Sequence, residues 1–257
     1  MPDTQLAVQL YTLRDYTKNA ADFDATCKKL ADQGWKAVQV SAVGPIEPKE
    51  IRNILDTHGL HCCATHEMIH ENVDTVIEKQ KTLGSDYTAI GGYFPSPAEF
   101  DEAHWDAFIQ SINAVVGQYA DAGIRVGYHN HSHEWAKVDD ALDGDRAIDM
   151  LVDRLDMRFC FEWDTYWIAH AGGDPAQWLR DHAGRVPVIH VKDLGIRPDK
   201  THYDMEIGQG NLNWPAIFEA AREADVQWYA VEQDHCYRDP FDSLATSLEN
   251  LQAMGLR

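Results

Sequence analysis

The sequence predicts a single (β/α)8 barrel, and three observations favour that fold. Eight short apolar runs of strand length alternate with eight longer amphipathic stretches along the 257 residues. Five of the helical stretches have a proline near their start and five are followed by glycine, as expected of helix termini. Polar residues follow the apolar runs in many units, as they do where barrel strands end at an active site.

The same pattern favours one domain over residues 1–257. No Pro/Gly/Ser-rich linker or change of composition divides the chain, and its length suits one barrel. A doubly wound open sheet is the alternative arrangement of alternating strands and helices. We disfavour it because no GxGxxG motif follows the first strand and because polar strand ends are spread over many units.

The first four strand candidates are short apolar runs bounded by turn residues. They are predicted at Leu6–Leu10, Ala37–Ser41, Leu60–His66 and Tyr87–Gly91. The helical stretches that follow them are Ala21–Gln33, Pro48–His58, Val73–Leu83 and Pro97–Ala122. Since polar side chains close the first three strands, this half of the barrel is expected to supply mainly neutral groups to the mouth.

The four C-terminal units repeat the pattern with different strand ends. Their strands are predicted at Arg125–His131, Phe159–Asp164, Val186–Val191 and Trp228–Gln233. Their helices are predicted at Asp145–Val152, Pro175–His182, Trp214–Ala224 and Pro240–Met254. Each of these strands ends in residues that can bind a metal. If the strands are parallel neighbours in a closed sheet, those residues converge on one mouth.

Asp164, His190 and Glu232 are the predicted metal ligands, because they stand at corresponding ends of three strands. Two carboxylates and an imidazole suit one divalent ion, with Mn²⁺ as the first choice and Mg²⁺, Co²⁺ or Zn²⁺ as alternatives. The fourth ligand is open between His129 and Glu134. His129 lies on the strand itself, whereas Glu134 reaches the ion only if the strand extends or the loop folds back.

Four residues are predicted to carry the proton chemistry. His131 is expected to point into the mouth, and its imidazole suits proton transfer near neutral pH. Glu232 can act as ligand and base at once. Lys192 lies two residues beyond a predicted ligand and is placed to stabilise a developing enolate or to hold a substrate oxygen. His66 ends the third strand as a substrate contact or an acid–base group.

Substrate binding is predicted for residues that border the same mouth. Gln9 and Tyr11 follow the first strand. Trp167 belongs to an aromatic cluster after strands four to six, and such rings present a flat apolar wall to a sugar. Gln209 lies in a glycine-flanked turn before a helix and is also expected to line the mouth.

Composition disfavours several classes of function. The chain has 42 acidic and 22 basic residues, a net charge of −20, which argues against nucleic acid and anionic membranes as partners. Five cysteines without CxxC spacing indicate reduced thiols and a cytoplasmic protein. The sequence shows no secretory signal and no long apolar run, so we expect no membrane span. Whether the protein forms a homo-oligomer is left open.

Several segments match one known family pattern: Gln9–Arg14, Tyr128–His131 with Glu134, Asp164 and Trp167, His190–Asp193, Gly208–Gly210 and Val231–Asp234. On these residues the chain resembles the xylose isomerase-like barrel superfamily, which includes sugar phosphate isomerases and epimerases, inosose dehydratases and endonuclease IV. The resemblance implies metal binding by Asp164, His190 and Glu232 and a catalytic role for His131. Many members have Glu where this chain has His129.

The combined prediction is a metal-dependent enzyme that acts on a sugar, keto-sugar or cyclitol. It would remove a proton next to a carbonyl and form an enediolate. Isomerases, epimerases, dehydratases and lyases share this first step, and the sequence does not choose among them. The alternatives are a non-catalytic sugar-binding barrel and a metal-assisted hydrolase. No GxSxG, P-loop or HExxH motif points to other chemistry.

Overall fold

The computed structural model describes residues 5–257, apart from the side chain of Asp140, and shows a closed barrel of eight parallel strands. The barrel strands are β1 (Leu6–Gln9), β2 (Ala37–Val40), β3 (His61–His66), β4 (Tyr87–Ile90), β5 (Arg125–His129), β6 (Cys160–Asp164), β7 (Val188–Val191) and β10 (Trp228–Val231). Between β7 and β10, strands β8 (Asp193–Ile196) and β9 (His202–Met205) form an antiparallel hairpin. The predicted barrel is therefore confirmed. Residues 1–4 of the predicted domain lie outside the described residues.

Ten α-helices accompany the strands in the described part of the chain. They are α1 (Ala20–Gln33), α2 (Pro48–His58), α3 (Val73–Leu83), α4 (Glu102–Asn113), α5 (Val116–Asp121), α6 (Ala147–Arg154), α7 (Thr165–His170), α8 (Pro175–Asp181), α9 (Trp214–Glu223) and α10 (Pro240–Ala253). Short 3₁₀ helices occupy Leu10–Tyr16, Pro97–Glu99, His133–Trp135 and Val138–Asp140. Prolines and glycines stand at helix termini as predicted. Helix α2, for example, has Pro48 in its first turn and ends at Gly59, which adopts the left-handed conformation.

The prediction of one long helix over Pro97–Ala122 is wrong. A 3₁₀ turn over Pro97–Glu99 comes first. The side chain of Asp101 then accepts a hydrogen bond from the backbone N–H of His104 and so caps the start of a separate helix, α4. A second break follows at Val115, whose φ of −113° and ψ of −18° separate α4 from α5. The sequence pattern showed only an amphipathic run, and both breaks lie within it.

The lower half of the barrel interior is filled by side chains of contrasting size. Small residues such as Ala7 and Ala230 form one buried cluster with the large rings of Tyr87 and Trp228. Gly127 in β5 is required here, because a Cβ atom at that position would lie 2.2 Å from the Tyr87 hydroxyl. This packed floor confines the polar interior residues to the carboxyl ends of the strands.

Candidate metal and sugar site

Four side chains that can bind a metal converge at the carboxyl end of the barrel. His129, Asp164 and His190 end or nearly end β5, β6 and β7, and Glu232 directly follows β10. One ligand atom from each of these four residues lies within 4.8 Å of the others. All four side chains are buried. The three ligands predicted from the carboxyl ends of the strands therefore lie together in the structure, and His129 lies with them.

Two atoms of this group have no hydrogen-bond partner among the described residues. They are Nδ1 of His129 and Oδ2 of Asp164. Burial lowers the pKa of His129 well below its usual value, and the nearby charge of His190 adds to the effect. Burial also raises the pKa of Asp164 to about 7. Unsatisfied buried polar atoms are costly, so a donor set of this kind fits a bound cation.

The start of α7 fixes the orientation of Asp164. Its Oδ1 accepts the backbone N–H of Trp167 at 2.9 Å and so caps the helix. Its own backbone N–H donates to Oδ1 of Asn130, also at 2.9 Å. The second carboxylate oxygen, Oδ2, is left facing His190, whose Nδ1 lies 3.8 Å away.

The two ring nitrogens of His190 face different surroundings. Nδ1 lies 3.0 Å from Oε2 of Glu232, on the side of the four-residue group. Nε2 lies 2.8 Å from Oε1 of Glu162 and 2.9 Å from Oε1 of Gln39. The contacts of Nε2 hold the ring so that Nδ1 points toward the other three candidate ligands.

Glu162 is a functional candidate that sequence reasoning missed. Its carboxylate is fully buried, accepts hydrogen bonds from the Gln39 amide at 2.9 and 3.1 Å, and lies 2.6 Å from Nε2 of His66. Burial would raise its pKa, but the positive charge of His190 and His66 prevails and the pKa falls to about 2. The available signal was alternation, since Glu162 shares a strand face with Asp164.

Glu134 lies outside the four-residue group. Its Oε1 accepts the hydroxyl of Tyr128 at 2.8 Å, and its Oε2 accepts the backbone N–H of His131 at 2.8 Å. Both carboxylate oxygens are therefore engaged in shaping the turn after β5. Of the two alternatives for the fourth ligand, only His129 is placed with Asp164, His190 and Glu232.

Lys192 is a fully buried cation in a ring of carboxylates. Its ammonium pairs with Asp234 and lies 3.6 Å from Asp204 and 3.7 Å from Glu232. Burial alone would lower its pKa, but these carboxylates raise it above the usual value. Nζ also lies 4.8 Å from the centre of the Trp167 ring, within the range of a cation–π contact. Lys192 is therefore charged and fixed beside the site.

The site opens into a cavity of about 380 Å³ at the barrel mouth. Its walls include the predicted residues His66, His131, Glu232, Tyr11 and Trp167. The full lining is Tyr11, Arg14, His66, Gly91, Phe94, His129, His131, Trp167, Glu232, Asp234 and His235. Burial lowers the pKa of His131 to about 3, so its ring is neutral at neutral pH.

Two predicted substrate contacts do not line this cavity. Gln9 is fully buried, and its Oε1 accepts the backbone N–H of Tyr11 at 3.2 Å. Gln209 is exposed outside it, because the backbone N–H groups of Gly208 and Gly210 donate to Oδ2 of Asp193 and hold the turn elsewhere. Neither side chain therefore lines the cavity.

The match to a known family agrees with this geometry. Residues 27–254 match the model of the xylose isomerase-like TIM barrel family. The chain belongs to this family. An inosose dehydratase of Geobacillus thermodenitrificans is 25% identical, in an alignment that covers 86% of this chain and 85% of that protein.

Solved structures agree on the fold. A sugar phosphate isomerase/epimerase from Parabacteroides distasonis superimposes with a TM-score of 0.79 at 22% identity, over 99% of this chain and 96% of that one. A xylose isomerase-like TIM barrel protein from Mycobacterium smegmatis, solved in complex with magnesium, gives a TM-score of 0.73 at 13% identity, over 98% and 96%. The predicted enzyme class, an isomerase/epimerase or a related dehydratase/lyase, is confirmed by the family match together with the inosose dehydratase relative. No helix in residues 5–257 is long and apolar enough to cross a membrane.

Proposed function

We propose that this protein is a divalent-metal-dependent enzyme that removes a proton next to the carbonyl of a keto-sugar or a keto-cyclitol. The observation that carries the proposal is the buried group His129, Asp164, His190 and Glu232. One ligand atom of each lies within 4.8 Å of the others, and His129 and Glu232 line the cavity. The neutral His131 ring beside this group supplies what a purely structural metal site does not need, a proton-transfer partner.

The four residues of this group would hold the ion, with Mn²⁺ as the first candidate and Mg²⁺, Co²⁺ or Zn²⁺ as alternatives. Mixed carboxylate and imidazole donors are compatible with each of these ions. When bound, the ion would act as a Lewis acid that lowers the energy of the enediolate. We prefer His129 over Glu134 as fourth ligand, because both oxygens of Glu134 already accept hydrogen bonds.

Glu232 and His131 are the proposed catalytic pair. Burial would raise the pKa of Glu232, but His190 and Lys192 lower it, so the group is a carboxylate that can accept the proton. His131 faces the same cavity as a neutral imidazole, so it would first take up a proton from the substrate at its free ring nitrogen and then return that proton to the product. Lys192 does not line the cavity and would act through Glu232, whose charge it balances from 3.7 Å.

His66 is proposed to bind substrate or shape the cavity rather than to act as the main base. Its Nε2 lies 2.6 Å from Glu162 and its Nδ1 lies 3.3 Å from the Ser41 hydroxyl, so both nitrogens already have partners. Tyr11 and Trp167, which both line the cavity, would provide ring contacts to the substrate.

Keto-cyclitols are the first substrates to test, with keto-sugars next. Several relatives are named inosose dehydratases, and the one described above covers most of both chains. In a dehydration, the proton would leave the carbon next to the carbonyl and the hydroxyl would leave the following carbon as water. Return of the proton without loss of the hydroxyl would instead give an epimer or an isomer.

The test combines metal content with proton exchange in deuterated buffer. We expect wild-type protein to bind one equivalent of Mn²⁺ and to exchange the proton next to the carbonyl of an inosose or a keto-sugar. His131→Ala should keep the metal but lose exchange by about 10²-fold or more, whereas Asp164→Ala should lose both. Exposed His104→Ala serves as the matched control and should change neither property.

Three results would contradict the proposal. Full exchange activity in both His131→Ala and Asp164→Ala would show that these residues do not have the assigned roles. Saturable sugar binding without exchange or product would indicate a non-catalytic sugar-binding barrel. Incorporation of ¹⁸O from solvent water into a cleaved product would indicate a metal-assisted hydrolase, which shares the ligands but needs an activated water.

A further inference from the structure

A second and larger concavity lies beside the candidate site. It is a surface groove of about 790 Å³ between the segment that follows β4 and the segment that follows β5. Its lining is Phe94, Pro95, Pro97, Ala98, Phe100, Asp101, His133, Ala136, Lys137 and Asp139. None of the candidate metal ligands belongs to it. The proposed proton chemistry therefore leaves this groove without a role.

Phe94 connects the groove to the cavity, because its ring lines both. The ring lies edge-on to His131 on the cavity side, with centroids 4.8 Å apart. On the groove side its centroid lies 5.0 Å from that of His133. The Phe94 side chain is 64% exposed, which is high for an aromatic ring that already packs between two imidazoles. A molecule that passes from cavity to groove would cover it.

Most polar groups of the groove are already engaged within the protein. Asp101 caps α4 and accepts the backbone N–H of His104 at 2.8 Å. His133 Nε2 lies 2.7 Å from the carbonyl oxygen of Tyr93, and the Lys137 ammonium donates to the carbonyl of Leu142. The surface left for a ligand is therefore mainly that of two phenylalanine rings, two prolines and two alanines.

The charge of the groove also restricts the ligand. Asp101 and Asp139 face it together with one cation, Lys137, in a chain of net charge −20. A phosphate or carboxylate group would meet more negative than positive charge there. A flat, uncharged and apolar group suits both the lining and the charge, since it would stack on the exposed rings.

We propose that the groove binds the aromatic aglycone of a glycoside whose sugar ring occupies the cavity. The inference deepens the proposed function, on which it rests, by naming a two-ring substrate class. A six-membered ring ketone with a glycosidic substituent retains the carbonyl that the proposed chemistry needs. Its aglycone would extend past Phe94 into the groove.

Calorimetric titration of the metal-loaded protein with methyl β-D-glucoside and phenyl β-D-glucoside tests the proposal. These probes carry no carbonyl, so their binding is independent of turnover and of whether the proposed reaction is correct. We expect the phenyl glucoside to bind at least about tenfold more tightly, a factor that one stacked ring can supply. Ala98→Trp, which fills the exposed groove, should abolish that preference and leave the affinity for the methyl glucoside unchanged.

Ala103→Trp is the matched control, because Ala103 is exposed on α4 nearby and does not line the groove. It should retain the wild-type preference. Equal affinities for the two probes in wild-type protein, or no binding of the phenyl glucoside, would overturn the proposal. An unchanged preference in Ala98→Trp would do the same. Cellobiose that binds as tightly as the phenyl glucoside would overturn the assignment of an aromatic group.

Discussion

At the scale of single residues, Glu162 links two parts of the candidate site. Its carboxylate contacts His190, a candidate ligand, and His66, which lines the cavity. Outer groups that hold a metal-binding imidazole fix its orientation and its tautomer. Glu162 would therefore act as a positioning residue: it does not line the cavity, and its Oε1 lies 2.8 Å from Nε2 of His190 and 3.9 Å from Nδ1 of His129.

Glu162→Gln tests this role. The amide is nearly isosteric but carries no charge, and its NH₂ group would meet the donors that now point at the carboxylate. We expect Mn²⁺ affinity to fall roughly 10–100-fold while the protein remains folded. Titration calorimetry with Mn²⁺ measures the affinity, and the pH profile of proton exchange reports any change in the histidines.

Glu206→Gln is the control for loss of a largely buried carboxylate. Glu206 accepts hydrogen bonds from Arg238 and Ser243, each at 2.8 Å, and does not line the cavity. Its variant should lower stability without changing Mn²⁺ affinity. Equal Mn²⁺ affinity in wild type and Glu162→Gln would show that Glu162 only fills the barrel.

The candidate ligands were accessible from sequence for a simple physical reason. A barrel strand delivers its last inward-facing side chain to the mouth, so Asp164 and His190 could be placed from strand ends alone. Glu162 lies two residues before Asp164 on the same face of its strand, and its position within the strand gave no sign of a role beyond burial. Gln209 was misplaced because the hydrogen bonds that Asp193 makes to its neighbours depend on tertiary structure.

At the scale of secondary structure elements, the β8–β9 hairpin and the segment after it were not predicted. The eight-unit pattern leaves no place for an extra pair of strands between β7 and β10. The segment is organised by Asp193, which accepts the backbone N–H groups of Leu194, Gly208, Gly210 and Leu212 and the indole N–H of Trp214. One buried carboxylate thus joins β8 to the start of α9.

Asp193→Ala should destabilise this segment strongly. It would leave several buried donors unpaired, and each such group costs about 1–3 kcal/mol. We expect the free energy of unfolding to fall by several kcal/mol and limited proteolysis to cut within residues 206–213. Urea unfolding and mass spectrometry of the fragments measure the two effects.

Asp199→Ala provides the comparison for that experiment. Asp199 lies in the exposed turn of the same hairpin, where it accepts hydrogen bonds from the backbone and side chain of Thr201. Its loss should lower the free energy of unfolding by about 1 kcal/mol or less and should not make residues 206–213 susceptible to proteolysis. Similar losses in the two variants would show that Asp193 does not organise the segment.

At the scale of the whole molecule, the four candidate ligands come from strands that are neighbours around the barrel. The order β10–β7–β6–β5 places Glu232, His190, Asp164 and His129 on one contiguous side. These residues are distant in the sequence, so an unfolded chain would not hold them together. Binding of an ion should therefore favour the folded barrel specifically.

Heat denaturation of metal-free protein with and without Mn²⁺ tests this coupling. A ligand at 100 times its Kd stabilises the folded state by about 2.7 kcal/mol, which for a chain of this length raises Tm by roughly 5–10 °C. Asp164→Ala and His129→Ala should show little or no rise. Glu134→Ala should start from a lower Tm, because Tyr128 and the backbone of His131 lose their acceptor, yet rise by the wild-type amount. Each variant is its own reference, so lower starting stability does not affect the comparison. A full rise in Tm for His129→Ala, together with no rise for Glu134→Ala, would show that Glu134 and not His129 is the fourth ligand. No rise in Tm for the wild-type protein would contradict the proposed metal dependence.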